Sequence, residues 1–234
     1  MNKYLEQLRS CGGYYECPRD EDGKRLGPLV GYAGKYQNRN GEKKQFVGDV
    51  YYNLAKIEES PRVLDYFAEE CAVMIAAKIT CIDYVLGAPM GGIAFASALA
   101  KYLDCRFVFA EKKTTALATS ESREKSKFLM KRHVIKPRSK VVIVEDVCNN
   151  FSTTGDLRVL IEECKGVLAG IACELNRSNG KTWQKLPVVS LIYQPTKQYS
   201  QDDIRVRDDV QDGNVVWKPK DEWDRLQAIM AAHL

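Results

Sequence analysis

From residue 60 onward the apolar positions recur with two alternating periods. Val63, Leu64, Phe67, Cys71, Met74 and Ile75 return every three or four residues and mark one helical face. Ser60-Pro61 before them offers a hydroxyl cap followed by proline at the first helical position. Apolar runs then alternate with helical patterns. The chain reads as a buried strand at 82–86, a small-residue helix at 91–103, strands at 106–110 and 141–144, a helix at 157–164 closed by Gly166, and strands at 167–173 and 188–193. Short apolar strands separated by helices of about 10–15 residues predict βαβ units. The expected fold class is therefore α/β, a parallel, Rossmann-like sheet covered by helices on both faces. In such sheets a ligand lies off the C-terminal ends of the strands. That rule brings together three stretches, at 87–92, 111–113 and 145–155.

The flanks are less regular. Leu5 and Leu8 suggest a short opening helix, and residues 11–44 are rich in glycine, tyrosine and charge. Turn signals fall at Pro18, Asp22-Gly23, Gly27-Pro28 and Asn40-Gly41, and the last of these predicts a hairpin between strands at 30–33 and 46–53. The expected organisation is a small hood over 1–60, a core over 61–195, and a C-terminal extension over 196–234. A last helix is expected at 222–232, with Trp223, Leu226, Ile229 and Met230 on one face.

Composition narrows this only a little. At 234 residues, 45% hydrophobic and 28% charged, the chain is an ordinary globular sequence. Its net charge of +4 is too even a balance of 35 basic and 31 acidic residues to imply nucleic acid. The eight cysteines (11, 17, 71, 81, 105, 148, 164, 173) contain no CxxC and no Cys/His cluster, so they lack zinc-site spacing. Several sit in apolar runs, and reduced thiols are expected. The N-terminus has no apolar signal region, and no stretch approaches the roughly 18–20 apolar residues of a membrane span. A soluble, cytoplasmic protein is expected.

The chemistry concentrates in Val141-Val142-Ile143-Val144-Glu145-Asp146-Val147-Cys148-Asn149-Asn150-Phe151-Ser152-Thr153-Thr154-Gly155. An apolar strand delivers two carboxylates to its end, and a loop of small polar residues leads into a helix. Amides and hydroxyls at a helix N-terminus hold phosphate. The carboxylates can accept hydrogen bonds from sugar hydroxyls or bind Mg²⁺ through water. The plainer reading is a pair of strand-end acids before a Ser/Thr-capped helix. A dinucleotide site is disfavoured, because no G-x-G-x-x-G opens a helix after the first strand.

This segment resembles the signature of the type I phosphoribosyltransferases, in which four apolar residues and two acids precede a Thr/Gly loop that binds phosphoribosyl pyrophosphate (PRPP). Either about four residues are inserted and Thr153-Thr154-Gly155 fill the family's loop, or the register has no gap. In the ungapped register, which is preferred, Phe151 stands where that family has glycine, a position where a large side chain adopts a left-handed conformation only at a cost. Three further stretches are similar to orotate phosphoribosyltransferases in particular. Gly87-Ala88-Pro89-Met90-Gly91-Gly92 resembles the family's pyrophosphate loop, so Gly91 and Gly92 are expected at the leaving group. Phe107-Val108-Phe109-Ala110-Glu111-Lys112-Lys113 resembles a strand that ends in Arg-Lys, with Glu111 in place of the arginine. The polar run 114–131 resembles the mobile catalytic loop, with Arg123, Lys125, Lys127 and Lys131 as its basic candidates.

At the base end, Lys43 takes the position of the family's lysine, and Tyr51 and Tyr52 that of its aromatics. Arg177 resembles the arginine that reaches the orotate ring. The resemblance implies a type I phosphoribosyltransferase fold with an N-terminal hood, orotate and PRPP as substrates, and Mg²⁺ as cofactor. It implies a homodimer whose loop 114–131 reaches the neighbouring active site. Glu145, Asp146, Lys112 and Lys125 would be catalytic, and Glu145 and Asp146 would hold the metal indirectly. PRPP would lie on residues 145–154 (Val147, Cys148, Asn149, Asn150, Phe151, Ser152, Thr153 and Thr154 after the acid pair), with Gly91, Gly92, Lys112 and Lys113. Another nucleobase, or a regulator that binds PRPP without turnover, remain alternatives.

Overall fold

The computed structural model describes residues 2–116 and 125–233, with the side chains of 114–126 outside the described part. The chain divides into two compact units, residues 1–7 with 57–195, and residues 8–56 with 196–234.

The larger unit is the predicted parallel sheet. Its strands are β5 (Tyr84–Gly87), β6 (Arg106–Phe109), β9 (Lys140–Cys148), β10 (Val167–Asn176) and β12 (Leu186–Tyr193), paired in parallel in the order β12-β10-β9-β5-β6. A two-residue strand, β11 (Thr182–Trp183), runs antiparallel at the outer edge. Val141, Val142, Ile143 and Val144 are all fully buried, as a strand covered on both faces requires. Leu157, Leu160 and Ile161 of α5 (Ser152–Glu163) pack on Tyr84, Leu86, Val141 and Ile143. The helices α3 (Pro61–Ala76) and α4 (Gly92–Leu103) pack against each other, and Phe67, Cys71, Phe95 and Leu99 on them are fully buried. Ser60 does stand at the N-cap of α3, but its hydroxyl makes no capping bond, and the proline after it sets the helix start.

Two departures from the sequence pattern bear on function. The acid pair does not end its strand: β9 continues through Cys148 because β10 pairs with it as far as Asn176. The polar run after residue 110 is not a simple loop either. Its described parts are an antiparallel pair, β7 (Glu111–Ala116) and β8 (Lys125–Leu129). The run's polar composition concealed the pairing, although Phe128 of β8 packs against the core cluster of the sheet and α5.

In the smaller unit, β2 (Leu29–Gln37) and β3 (Lys43–Gly48) form the expected hairpin. Its turn is closed by the Asn38 N–H donating to Glu42 O at 2.9 Å, with Gly41 at φ 79°. The short β1 (Tyr14–Glu16) pairs antiparallel with β4 (Val50–Tyr52), and β13 (Val215–Val216) adds in parallel to β2. The core joins Tyr15, Val30, Tyr32, Val216, Trp223 and Leu226. Trp223 lies on α7 (Trp223–Ala231), and its indole N–H donates to Gly12 O at 2.9 Å. Arg25 is bonded to both Asp49 (2.6 Å) and Asp209 (2.8 Å), the latter on α6 (Arg207–Gln211). Two further helices, α1 (Lys3–Ser10) and α2 (Ala55–Glu58), complete the chain.

Candidate active site

Along the sheet the chain steps from β5 to β6 on one side, then crosses back so that β9 lies on the other side of β5. Strand order reverses between β5 and β9, and a crevice opens off the C-terminal ends of strands at such a reversal. The 87–92 turn leaves β5 there and residues 145–155 belong to β9, so the topology brings these two stretches together. The Ala88 N–H donates to Val144 O at 2.8 Å and ties the turn to β9. A Cβ on Gly92 would overlap the Val144 carbonyl, and one on Gly91 would overlap the Asp146 carboxylate. Gly92 is thus required by close approach to backbone, whereas a side chain at Gly91 would displace the Asp146 carboxylate. Met90, at the outer tip of the turn, is 84% exposed.

The acid pair occupies two different environments. Glu145 is 9% exposed and accepts a hydrogen bond from the Thr154 hydroxyl at 3.5 Å. Burial, and secondarily the Asp146 charge, push its carboxyl up to about 8, while the Thr154 bond pulls the other way. Asp146 is half-buried, points to the opposite face of the sheet, and accepts the Val147 N–H at 2.8 Å. A third carboxyl lies beside it. The pairs Cys173–Glu145 and Leu175–Val147 place Glu174 next to Asp146 on that face. Glu174 is fully buried, and neither of its oxygens has a hydrogen-bond partner among the described residues. Burial first, then Asp146, raise it well above the carboxylate range. Sequence reasoning gave Glu174 no role. Its signal was a charged residue inside the apolar run 167–175.

The irregular part of the phosphate segment is short. Only residues 149–151 lie between β9 and α5, so Ser152, Thr153 and Thr154 form the first helical turn. Phe151 does take the left-handed conformation (φ 57°, ψ 23°), and its ring stacks on Trp183 at 5.9 Å. The ring contact offsets the backbone cost that the sequence implied. The Ser152 N–H donates to Asn150 Oδ1 at 3.2 Å, and the amides of Thr153 and Thr154 lie in the helix's open N-terminal turn. Ser152 is exposed and Thr153 half-buried, whereas Thr154 is buried with its hydroxyl on Glu145. Thr154 therefore belongs with the acids. Val147 is half-buried, Cys148 is buried, and Asn149 sits half-buried after it. The Arg177 N–H donates to Cys148 O at 2.8 Å, so Arg177 lies just past the end of β10, beside this loop.

At the base of the arm, Glu111 is flanked by Arg132 Nε at 3.4 Å and Lys131 Nζ at 3.8 Å. These are ion-pair distances only, since Glu111 Oε1 is buried and accepts no hydrogen bond among the described residues. Lys112 and Lys113 are exposed on β7, and Lys127 pairs with Glu163 at 2.7 Å. Residues 117–124, Arg123 among them, and the Lys125 side chain lie outside the described residues. In the other unit Lys43 is exposed at the start of β3. Tyr51 packs on Trp223 at 5.9 Å, and Tyr52, 7% exposed, packs edge-on against Tyr14 at 5.5 Å. Among the described residues no group of three or more His, Cys, Asp and Glu could hold a metal ion. No described helix is long and apolar enough to cross a membrane.

A family model described as phosphoribosyl transferase domain matches residues 63–186, the stretch that carries the glycine turn, the acid pair and the sheet up to the start of β12. The chain belongs to this family. A relative named orotate phosphoribosyltransferase, from Caldicellulosiruptor saccharolyticus, is 26% identical over 190 residues, covering 81% of this chain and 87% of its own length. Another of that name, from Thermotoga maritima, is 30% identical over 156 residues, or 65% of this chain and 75% of its own. Among solved structures, orotate phosphoribosyltransferase from Aeropyrum pernix superposes with a TM-score of 0.54 at 14% identity, covering 80% of this chain and 92% of that one. Adenine phosphoribosyltransferase from Thermoanaerobacter pseudethanolicus gives 0.52 at 18% identity, covering 81% and 99%. These likenesses make the fold that of the type I phosphoribosyltransferases.

Proposed function

We propose that this phosphoribosyltransferase transfers the phosphoribosyl group of PRPP to orotate, giving orotidine 5′-monophosphate and pyrophosphate. The observation that carries the reading is the Gly91-Gly92 turn seated against Glu145 and Asp146 at the strand reversal, with the N-terminal turn of α5 following. Orotate is favoured by the relatives of that name and by Arg177, whose guanidinium can pair with a carboxylate.

In this reading the amides of the first turn of α5 hold the 5′-phosphate, with the Ser152 and Thr153 hydroxyls. Asp146 accepts hydrogen bonds from the ribose hydroxyls and opposes the positive charge that develops on the anomeric carbon. Glu145, neutral while the site is empty, can donate to one sugar oxygen and accept from Thr154. Gly91 and Gly92 let backbone amides approach the leaving pyrophosphate, and Lys112, Lys113 and Lys125 supply its counter-charge. Closure of the arm excludes the water that would otherwise hydrolyse PRPP. The all-oxygen acid pair suits a hard cation, and a buried carboxyl held near 8 suits a site that a cation completes. Glu145 and Asp146 would hold Mg²⁺ through water or ribose hydroxyls, and the ion would neutralise the pyrophosphate as it leaves. A homodimer in which the arm serves the neighbouring site belongs to the same reading.

A second reading keeps the reaction and changes the base. It is favoured by Tyr51 and Tyr52, the expected aromatics, which pack into the core of their own unit. Pyrophosphate release from PRPP and Mg²⁺, with orotate and each common nucleobase offered singly, separates the two. Release with orotate alone supports the first reading, and release only with another base overturns it. PRPP binding without release for any base turns the assignment to a regulator.

A further inference from the structure

The tail beyond residue 195 is bonded into the β2–β3 hairpin at defined points. Tyr199 and Val47 exchange two backbone hydrogen bonds, at 3.0 and 2.9 Å. The Gln201 N–H donates to the Tyr36 hydroxyl oxygen at 2.7 Å, and its Nε2 donates to Gln45 O at 3.0 Å. Val206, 1% exposed, sinks into a cluster with Leu29, Val47 and Tyr199. The start of α6 is thereby fixed near the hairpin tip. Between them lies a hollow of about 370 Å³.

Cations from three segments line this hollow. Arg39 comes from the hairpin tip, Lys44 from β3 and Arg207 from α6, while Asp202 is the one carboxylate among the lining residues. Tyr36 forms part of the wall, its ring held at 4.7 Å from that of Phe46. The remaining positions are mostly side-chain amides, which can donate hydrogen bonds. Each of the cations has an acidic neighbour. For Arg39 it is Asp202, whose carboxyl is lowered by its hydrogen bond with Ser200 first and by the Arg39 charge as well. Lys44 lies 3.4 Å from Glu42 and Arg207 3.3 Å from Asp208, and those carboxylates are 60% and 78% exposed. Such exposed pairs are worth little and are screened by salt, so they yield readily to a ligand.

We propose that this hollow binds a phosphoryl group, as inorganic phosphate or as the phosphate of a nucleotide. Arg39 and Arg207 are the paired guanidinium donors and Lys44 the third cation. Three cations converge on a hollow where Asp202 is the one lining carboxylate and Glu42 and Asp208 are largely exposed outside it. That set suits a dianion better than a single carboxylate ligand, and arginine's planar fork matches phosphate oxygens two at a time. Every lining residue comes from residues 8–56 or 196–234. Binding here therefore needs neither Mg²⁺ nor Glu145 and Asp146, and it holds whichever base the enzyme uses.

The test is calorimetry of the full chain in EDTA, titrated with inorganic phosphate and, separately, with AMP and UMP. Wild type, Ser152→Ala/Thr153→Ala and Arg39→Ala/Arg207→Ala are compared, the Ser152/Thr153 variant removing the hydroxyls of the helix-terminus phosphate site. Binding should survive in Ser152→Ala/Thr153→Ala. Its Kd should rise roughly tenfold or more in Arg39→Ala/Arg207→Ala, as the loss of charge-assisted hydrogen bonds requires. Arg39→Gln/Arg207→Gln, with an unchanged near-UV spectrum, guards against a folding defect. Tighter binding of the nucleotides than of phosphate would assign a nucleotide as the occupant, and equal binding would assign the phosphate alone. The proposal is overturned if millimolar phosphate and nucleotides give no binding. It is equally overturned if the arginine variants bind like wild type, or if binding disappears in Ser152→Ala/Thr153→Ala.

Discussion

Replacing Glu145 with glutamine removes a buried ionisable group while nearly preserving its shape, which makes the electrostatics of the site measurable through stability. Glu145 is 9% exposed, and its carboxyl is held at about 8 against an ordinary 4.5, by burial first and Asp146 second. Between those two pH values the folded chain keeps a proton that the unfolded chain has lost. The contribution of Glu145 is therefore fully present below pH 4.5 and is lost as pH rises towards 8. At about 1.4 kcal/mol per pH unit the whole span is on the order of 5 kcal/mol. This is an upper bound, because relaxation and water entry lower the cost of a buried charge. Urea unfolding of wild type and Glu145→Gln from pH 5 to 9 is the assay. Wild-type stability relative to the variant should fall by at least about 2 kcal/mol between pH 5 and 8. Glu174 shifts in the same direction in both proteins and cancels to first order in the difference. A wild-type-minus-variant difference that does not change with pH would refute the reasoning.

Three further outcomes follow from the geometry. Gly92→Ala forces a methyl group against the Val144 carbonyl, so denaturant unfolding should show a loss of about 1–3 kcal/mol, with a raised KM for PRPP. Phe151→Gly and Phe151→Ala both lose the Trp183 stack, but glycine accepts φ 57° freely. The glycine variant should therefore be the more stable of the two by about 1 kcal/mol in the same assay. The Arg39 and Arg207 variants should weaken phosphate binding without altering the wild-type kcat for nucleotide formation, measured by product chromatography.

The sheet was legible because its strands are continuous apolar runs. A stretch such as 141–144 can only be buried, and the helical spacing before and between such runs forces parallel pairing. The extent of β9 was not legible. Whether Glu145 to Cys148 stay extended depends on how far β10 runs alongside, and those partners, Cys173 to Asn176, lie 28 positions later in the chain. The acid pair and the glycine turn could be read from their residue types, and topology then explained why they meet. The contact of Thr154 with Glu145 was not legible for a local reason: the helix begins five residues earlier than the apolar spacing suggests and turns that hydroxyl onto Glu145. Glu174 escaped because its neighbour Asp146 is a register partner on another strand, which sequence spacing cannot reveal. The tail matched no motif, since its bonds to Tyr36, Gln45 and Val47 run across more than 150 residues of chain.

The central claim is that Asp146, seated under Gly91 at the strand reversal, serves phosphoribosyl transfer to orotate. It is tested most directly by formation of orotidine 5′-monophosphate from PRPP, orotate and Mg²⁺, in wild type and in Asp146→Asn of matched stability. The account predicts product with wild type and a kcat lower by roughly 100-fold or more in the variant, as loss of transition-state charge stabilisation requires. Equal turnover by the two proteins, or no product from wild type at saturating substrates, would contradict it.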